Sequence, residues 1–221
     1  MKNARVFFEK NGACKYISHL DLNRVMLRAV GKSRLDIWYT EGFHQHAYIT
    51  FALPLSLGFA STCESMDFRL LDDHADMSAI PAQLNACLPD GIRVYRCAEA
   101  KDKPADIDSA VYAVRMEPMN ADDISDKELY SKLNDFLAQP QIITEKKTKK
   151  GKKDIDLKAY ILDCDLSDAD GVGMTLRLPA GSSLNINPSL IVTAFEAYCG
   201  AELHADITRT AILTKEGRPF E

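Results

Sequence analysis

The chain has 221 residues, of which 46% are hydrophobic and 27% charged, and its formal net charge is −5. This length and composition are typical of a globular protein with one large or two small domains, and the acidic balance argues against a generally basic nucleic-acid-binding coat. No stretch approaches the roughly 18 consecutive apolar residues of a membrane span, and residues 1–10 lack the apolar core of a signal peptide, so we expect a cytoplasmic protein without membrane association.

The first half of the chain predicts strands and helices in the order β-α-β-β-α-β, with one additional strand-like stretch between the two helices. After a strand over residues 5–9, a helix over 19–32 begins behind Ser18, the predicted N-cap, with Asp21 at its third position. Its apolar residues recur at helical spacing and should face a core: Leu22, Val25, Met26 and Ala29. The remaining predicted elements are strands over 36–40, 48–52, 64–71 and 92–97 and a helix over 78–88.

The second half repeats this order after a polar segment, residues 99–108, that contains a proline and predicts a linker. One long predicted strand, over 142–161, is interrupted by a lysine-rich loop. The other predicted elements are strands over 110–116, 173–178 and 206–214, a helix over 125–137, and a helix from about 188 to 198 that ends at Gly200.

Both halves therefore predict the split β-α-β arrangement, with two helices on one face of an antiparallel sheet. We expect an α+β protein made of two tandem ferredoxin-like units. The first unit should comprise residues 1–98 and the second residues 109–221.

A polar cluster surrounds the start of the first predicted helix. Ser18, His19 and Asp21 lie at the helix N-terminus, and Arg24 and Arg28 follow at helical spacing. The simplest interpretation is a capped helix in which Asp21 pairs with Arg24. The same geometry also predicts an anion site, because a helix N-terminus offers unpaired N–H groups and the two arginines can grip a phosphate or carboxylate.

A second polar cluster spans residues 41–46, with the sequence Glu-Gly-Phe-His-Gln-His. Gly42 suggests a tight turn, and His44 and His46 would point the same way on an extended strand. Together with His19 they could form a three-histidine metal site, although exposed histidines are the commoner outcome. The aromatic residues around this loop could stack on bases, although strand aromatics usually belong to a core: Trp38, Tyr39, Phe43 and Tyr48.

Six lysines occur among the eight residues 146–153, within an otherwise acidic half of the chain. Such a run is usually a solvated loop, but around Gly151 it could form a hairpin that contacts phosphates. The candidate contacts are Lys147, Lys149, Lys150, Lys152 and Lys153.

Residues 15–21, Lys-Tyr-Ile-Ser-His-Leu-Asp, together with Glu41-Gly42-Phe43, resemble the bacterial "radical SAM-linked" domain family. The resemblance continues in the family's order through residues 54–58, 64–67 and 88–92 and the lysine–Asp-x-Asp segment, 149–156. The family usually has Asn-Pro-x-Pro after Gly-Phe, whereas this chain has His44-Gln45-His46-Ala47. Without the two prolines, the loop should be less rigid.

The resemblance implies an accessory partner of radical S-adenosylmethionine enzymes. The six cysteines are scattered without the three-cysteine motif of such enzymes, and we expect them to be reduced. The iron–sulfur cluster and S-adenosylmethionine would then belong to the partner, and this chain would need no cofactor.

The lead hypothesis is a binding or substrate-presenting module that acts with a radical S-adenosylmethionine enzyme, with tRNA or another RNA as the candidate substrate. Its ligand or partner surface would comprise Ser18, His19, Asp21, Arg24, Arg28, Glu41, Gly42, Phe43 and His46.

Two alternatives come from other classes of protein. In a metal-independent RNA-processing enzyme, His19 or His46 would be the base, and Arg24 or Arg28 would stabilise the developing negative charge. In a metal-binding regulator, His19, His44 and His46 would be the ligands.

Overall fold

The structure is a computed structural model that describes residues 1–120, 124–148, 151–169 and 171–221; between 146 and 153 it describes only the backbone. The protein belongs to the α+β class. It divides into two compact units, one formed by Met1–Ile107 with Glu216–Glu221 and the other by Asp108–Lys215. Residues 216–221, which the sequence analysis included in the second unit, therefore belong to the first.

In the first unit, a four-stranded antiparallel sheet has the strand order β4-β1-β3-β2. A short 3-10 helix, Gly12–Tyr16, connects the first strand to the first helix. The strands and helices of this unit are β1 (Lys2–Lys10), α1 (His19–Ser33), β2 (Ile49–Phe51), β3 (Ala60–Leu70), α2 (Ile80–Asn85) and β4 (Ile92–Glu99).

Alternation along β1 gives this sheet one face that packs against the helices. Ala4, Val6 and Phe8 are buried there, and Leu22 and Met26 of α1 join the same core. The predicted apolar face of α1 is confirmed, with Val25 partly rather than fully buried. This packing fixes α1 on the sheet and turns its polar positions outward.

The other face of β1 contains a buried ion pair. The Arg5 side chain is fully buried, and its Nε and Nη2 donate hydrogen bonds to the two carboxylate oxygens of Asp67, at 2.6 and 2.7 Å. The Phe220 ring lies over the Arg5 guanidinium, 4.1 Å from its carbon to the ring centroid. Residues 216–221, here called the strap, thereby cover this part of the sheet.

The second unit has the strand order β10-β5-β9-β8, with antiparallel pairing of β5 with β9 and of β9 with β8. A separate hairpin, β6–β7, is inserted between α3 and β8. The strands and helices of this unit are β5 (Ile107–Pro118), α3 (Asp126–Ala138), β6 (Ile143–Thr148), β7 (Gly151–Asp156), β8 (Asp163–Ser167), β9 (Val172–Pro179), α4 (Ser189–Cys199) and β10 (Leu203–Thr214).

Several predicted boundaries differ from the structure. The stretch at 36–40 forms isolated bridges rather than a strand, and the predicted linker contains a 3-10 helix, Pro104–Asp106. The predicted strand over 142–161 is interrupted at the lysine-rich segment, as expected, but it ends at Asp156 and is followed by a 3-10 helix, Leu157–Tyr160. Asp156 caps this helix, because its side chain accepts hydrogen bonds from the backbone N–H groups of Lys158 and Ile142. All six cysteines are free thiols, and no helix in the described ranges is long and apolar enough to cross a membrane.

Candidate functional site

The N-terminus of α1 is capped by hydrogen bonds among Ser18, Asp21 and Arg24. Ser18 Oγ accepts from the Asp21 N–H at 3.1 Å and donates to the Asp21 carboxylate at 2.7 Å. Arg24 Nη1 donates to the other carboxylate oxygen at 2.9 Å. The bonds from Ser18 and then Arg24 lower the pKa of Asp21 below its ordinary value. Asp21 therefore acts as an ionised capping group, which agrees with the simplest interpretation of this cluster.

His19 begins α1 and lies against the sheet. Its imidazole contacts the Phe51 ring of β2 edge-on, with 5.0 Å between the ring centroids and an interplanar angle of 76°. The side chain is half-buried rather than presented to solvent. This contact makes His19 a link between α1 and the edge strand.

The outer side of α1 carries a row of cations. Arg24, Arg28 and Lys32 are all exposed, and their spacing of four residues places them on one face of the helix, about 6 Å apart along its axis. We call these three residues the cationic stripe. Within the described ranges, Arg28 and Lys32 make no ion pair, whereas Arg24 pairs with Asp21. Lys32 was not among the residues predicted from the sequence, although its spacing of four residues from Arg28 was a visible signal.

Residues 37–48 form a second hairpin, here called the aromatic hairpin, between α1 and β2. Ile37 bridges Leu70, and the Trp38 N–H donates to the Arg69 carbonyl at 2.9 Å, which attach the hairpin to the end of β3. Tyr39 bridges Ala47 and closes the two arms on each other. The hairpin thus lies at the edge of the sheet, and the chain continues from it directly into β2.

The tip of the aromatic hairpin is held by Thr40 and His46. The Thr40 N–H donates to the His46 carbonyl at 2.9 Å, and the His46 N–H donates to Thr40 Oγ1 at 3.2 Å. The His46 ring joins this network, since its Nδ1 lies 3.1 Å from the His44 carbonyl oxygen. Gly42 has a φ of 122°, a conformation that side chains disfavour. The loop is therefore ordered by hydrogen bonds without the prolines.

Aromatic rings at the base and tip of this hairpin reach the surface. The Trp38 and Tyr48 rings meet edge to face at 5.4 Å, and the Arg69 guanidinium lies 5.4 and 5.5 Å from their centroids. Phe43 at the tip has a relative exposure of 104%. Tyr39 and Tyr48 are also exposed and Trp38 is half-buried, so the expectation that these aromatics belong to a core is wrong.

The two predicted polar clusters are not joined by any hydrogen bond, ion pair or ring contact in the described ranges. His19 lies against Phe51, whereas the His46 ring bonds within its own loop. No group of three or more His, Cys, Asp or Glu side chains within these ranges could hold a metal ion. The suggested three-histidine site, His19 with His44 and His46, is therefore not formed, because the His19 ring packs on Phe51 and the His46 ring bonds within its own loop.

The lysine-rich segment forms the predicted hairpin at the level of its backbone. Lys147 pairs with Lys152, and Thr148 pairs with Gly151, across β6 and β7. Lys149 and Lys150 lie outside the described residues, as do the side chains of Lys147, Lys152 and Lys153. Their phosphate contacts stay a prediction.

Comparisons with known proteins give a family but no activity. No curated protein matches the chain. Over 95% of its length the chain is similar to a chain in the "Crystal Structure of a Cbf5-Nop10-Gar1 Complex", at 12% identity and a TM-score of 0.48, and it spans 48% of that chain. A second similar structure, the "Crystal Structure of an Unknown Protein from Galdieria sulphuraria", has 13% identity, a TM-score of 0.27, and coverage of 93% of this chain and 98% of its own.

A bacterial family model matches residues 3–188, a range that includes both the cationic stripe and the aromatic hairpin. The chain belongs to this family, which is described as "Uncharacterized protein conserved in bacteria (DUF2344)".

Proposed function

We propose that the protein is a non-catalytic recognition module that binds RNA and presents it to a radical S-adenosylmethionine enzyme in the cytoplasm. The observation that carries the RNA part of this proposal is the cationic stripe on α1. Its three cations stand on one solvent-facing side of a helix whose other side is fixed in the core. The iron–sulfur cluster and S-adenosylmethionine would belong to the partner enzyme.

The stripe suits a polyanion better than a single small anion. Its cations follow one another at about 6 Å along the helix, so they can contact neighbouring phosphates of one backbone at the same time. Contacts of this kind give affinity that is independent of sequence and falls with salt. The lysines of the β6–β7 hairpin would add to the same electrostatic attraction.

The enzyme partner is proposed from the sequence resemblance described above. The segment from Lys15 to Asp21 is the first part of that resemblance, and it forms the end of the 3-10 helix and the cap of α1. Tyr16 and Leu20 in this segment are 62% and 70% exposed, which leaves apolar surface that a protein partner could cover.

We also propose that each unit is ferredoxin-like. The strand orders β4-β1-β3-β2 and β10-β5-β9-β8 support this assignment, since both correspond to a split β-α-β unit with the first strand in the interior of the sheet. In the second unit the β6–β7 hairpin would be an insertion.

A gel-shift or filter-binding titration with tRNA at two salt concentrations tests RNA binding. Wild type should bind at low salt, and Arg28→Ala should lower the affinity for tRNA and reduce the salt slope by about 1, the change expected for one lost phosphate contact. Arg93→Ala removes another exposed arginine, which lies on β4 and pairs with Glu9, and serves as the control. Absence of wild-type binding at low salt would overturn the RNA part of the proposal.

Co-purification tests the enzyme partner independently of RNA. A tagged chain should retain a radical S-adenosylmethionine enzyme encoded by a neighbouring gene, and Leu20→Asp should abolish this retention by placing a charge in the exposed apolar surface. If the candidate enzyme is not retained by wild type after nuclease treatment, the partner assignment is wrong even if RNA is bound.

A further inference from the structure

We infer that the aromatic hairpin is a stacking site for unpaired RNA bases, with Phe43 as the ring that enters the base stack. This inference rests on the proposed RNA binding and assigns it a second contact of a different physical kind. The cationic stripe would hold phosphates, whereas the hairpin would hold bases.

Phe43 is exposed at the tip of the aromatic hairpin. Its ring is fully exposed at the tip of a loop whose ends are joined by the hydrogen bonds between Thr40 and His46. These bonds join the two ends of the loop, and Phe43 extends from the residues between them. Exposure of a whole phenyl group on an ordered loop is unfavourable in water, so a ligand that covers the ring would gain that apolar area.

The side chains around the Phe43 ring favour bases over a pocket on another protein. Positions 41–46 contain a phenyl ring, two imidazoles, a carboxylate and an amide, but no aliphatic side chain. A loop that fills a pocket on another protein would be expected to carry more apolar side chains. Flat rings next to hydrogen-bonding groups are the combination that recognises bases of a single strand by stacking and by contacts to their edges.

A cation, Arg69, lies at the base of the aromatic hairpin. The exposed Arg69 guanidinium lies beside both Trp38 and Tyr48, within 5.5 Å of each ring centroid. This contact joins the base of the hairpin to β3 and places positive charge there. A nucleic acid strand that stacked on the hairpin would therefore meet charge of the opposite sign to its phosphates.

Three substitutions at Phe43 separate stacking from simple hydrophobic contact. With a 12-nucleotide single-stranded RNA, Phe43→Ala and Phe43→Leu should each weaken binding by roughly five- to 150-fold, the range expected for loss of one stacked base. Phe43→Tyr should retain most of the affinity, because the ring remains. None of the three should change the salt slope, since no phosphate contact is lost. Met119→Ala, which removes an exposed apolar side chain from the second unit, is the matched control.

Trp38 offers a second readout, because it is the single tryptophan of the chain and lies in the hairpin. Its fluorescence should change on addition of single-stranded RNA to wild type and to Phe43→Tyr, and much less in Phe43→Ala at the same RNA concentration. Equal RNA affinity of wild type and Phe43→Ala would overturn the stacking site and leave the proposed function standing. Failure of wild type to bind any RNA would overturn both.

Discussion

Both units contain an inserted hairpin at the same point, after the first helix and before the edge strand, but the two hairpins carry different kinds of side chain. In the first unit the insertion is the aromatic hairpin, which precedes β2, and in the second it is the lysine-rich β6–β7 hairpin, which precedes β8. The surrounding framework is similar in both: a serine caps the helix, and a leucine four residues later is buried. The framework therefore sets where the insertion leaves the sheet, while the insertion's own residues set what it can bind.

Cavity-forming substitutions at the matched core leucines should have the largest effect. Leu22→Ala in α1 and Leu129→Ala in α3 remove buried side chains at equivalent positions, and each should lower the free energy of unfolding by about 2–5 kcal/mol. Hydrogen exchange followed by mass spectrometry would show which unit loses protection. We expect faster exchange in the unit that carries the substitution. Equal loss of protection in both units after either substitution would contradict the expectation that each unit has its own stabilising framework.

The strap should make the stability of the first unit sensitive to acid. Arg218 donates a 2.8 Å hydrogen bond to the Asp102 carboxylate, and bonds from Arg218 lower the pKa of Asp102 in the folded state. Because this carboxylate favours folding only when ionised, its contribution is present at neutral pH and is lost as the pH falls below about 4.

Urea unfolding followed by Trp38 fluorescence measures this effect in the first unit. We expect the wild-type unfolding free energy to drop between pH 7 and pH 3, with Asp102 accounting for about 1–2 kcal/mol, since Arg218 remains half-exposed. Asp102→Asn should be less stable than wild type at pH 7 and should lose part of the pH dependence. An identical pH dependence in this variant would assign the acid sensitivity to other groups.

The helix caps should give the smallest effect. Ser18→Ala and Ser125→Ala each remove a hydroxyl that accepts a backbone N–H, and each should cost about 1 kcal/mol. Ser18 should be the more costly of the two, because its hydroxyl also donates to Asp21. Local hydrogen exchange in the first turns of α1 and α3 measures the difference, and Ser18→Thr should restore protection. A larger effect at Ser125 would reverse this comparison.

Local patterns in the sequence determined most of the secondary structure. The cap at Ser18, the apolar face of α1 and the helix end at Gly200 were all predicted, because each depends on residues within one or two turns of one another. The lysine hairpin was also foreseen, since a glycine within a charged run is a short-range signal. The irregular bridges near Ile37 were predicted as a strand, because alternation alone does not show whether a partner strand is available.

Only the tertiary structure decided which distant residues meet. The strap belongs to the first unit because Arg218 reaches Asp102 across 116 positions of sequence, a separation that no local pattern encodes. The same holds for the candidate site: the polar clusters were visible in the sequence, but their separation was not. His19 packs on Phe51 while His46 bonds to its own loop, and this leaves Phe43 and the cationic stripe as the exposed groups from which we infer recognition. The sequence by itself determined the residue types available for recognition, and folding decided which of them remain accessible to a ligand.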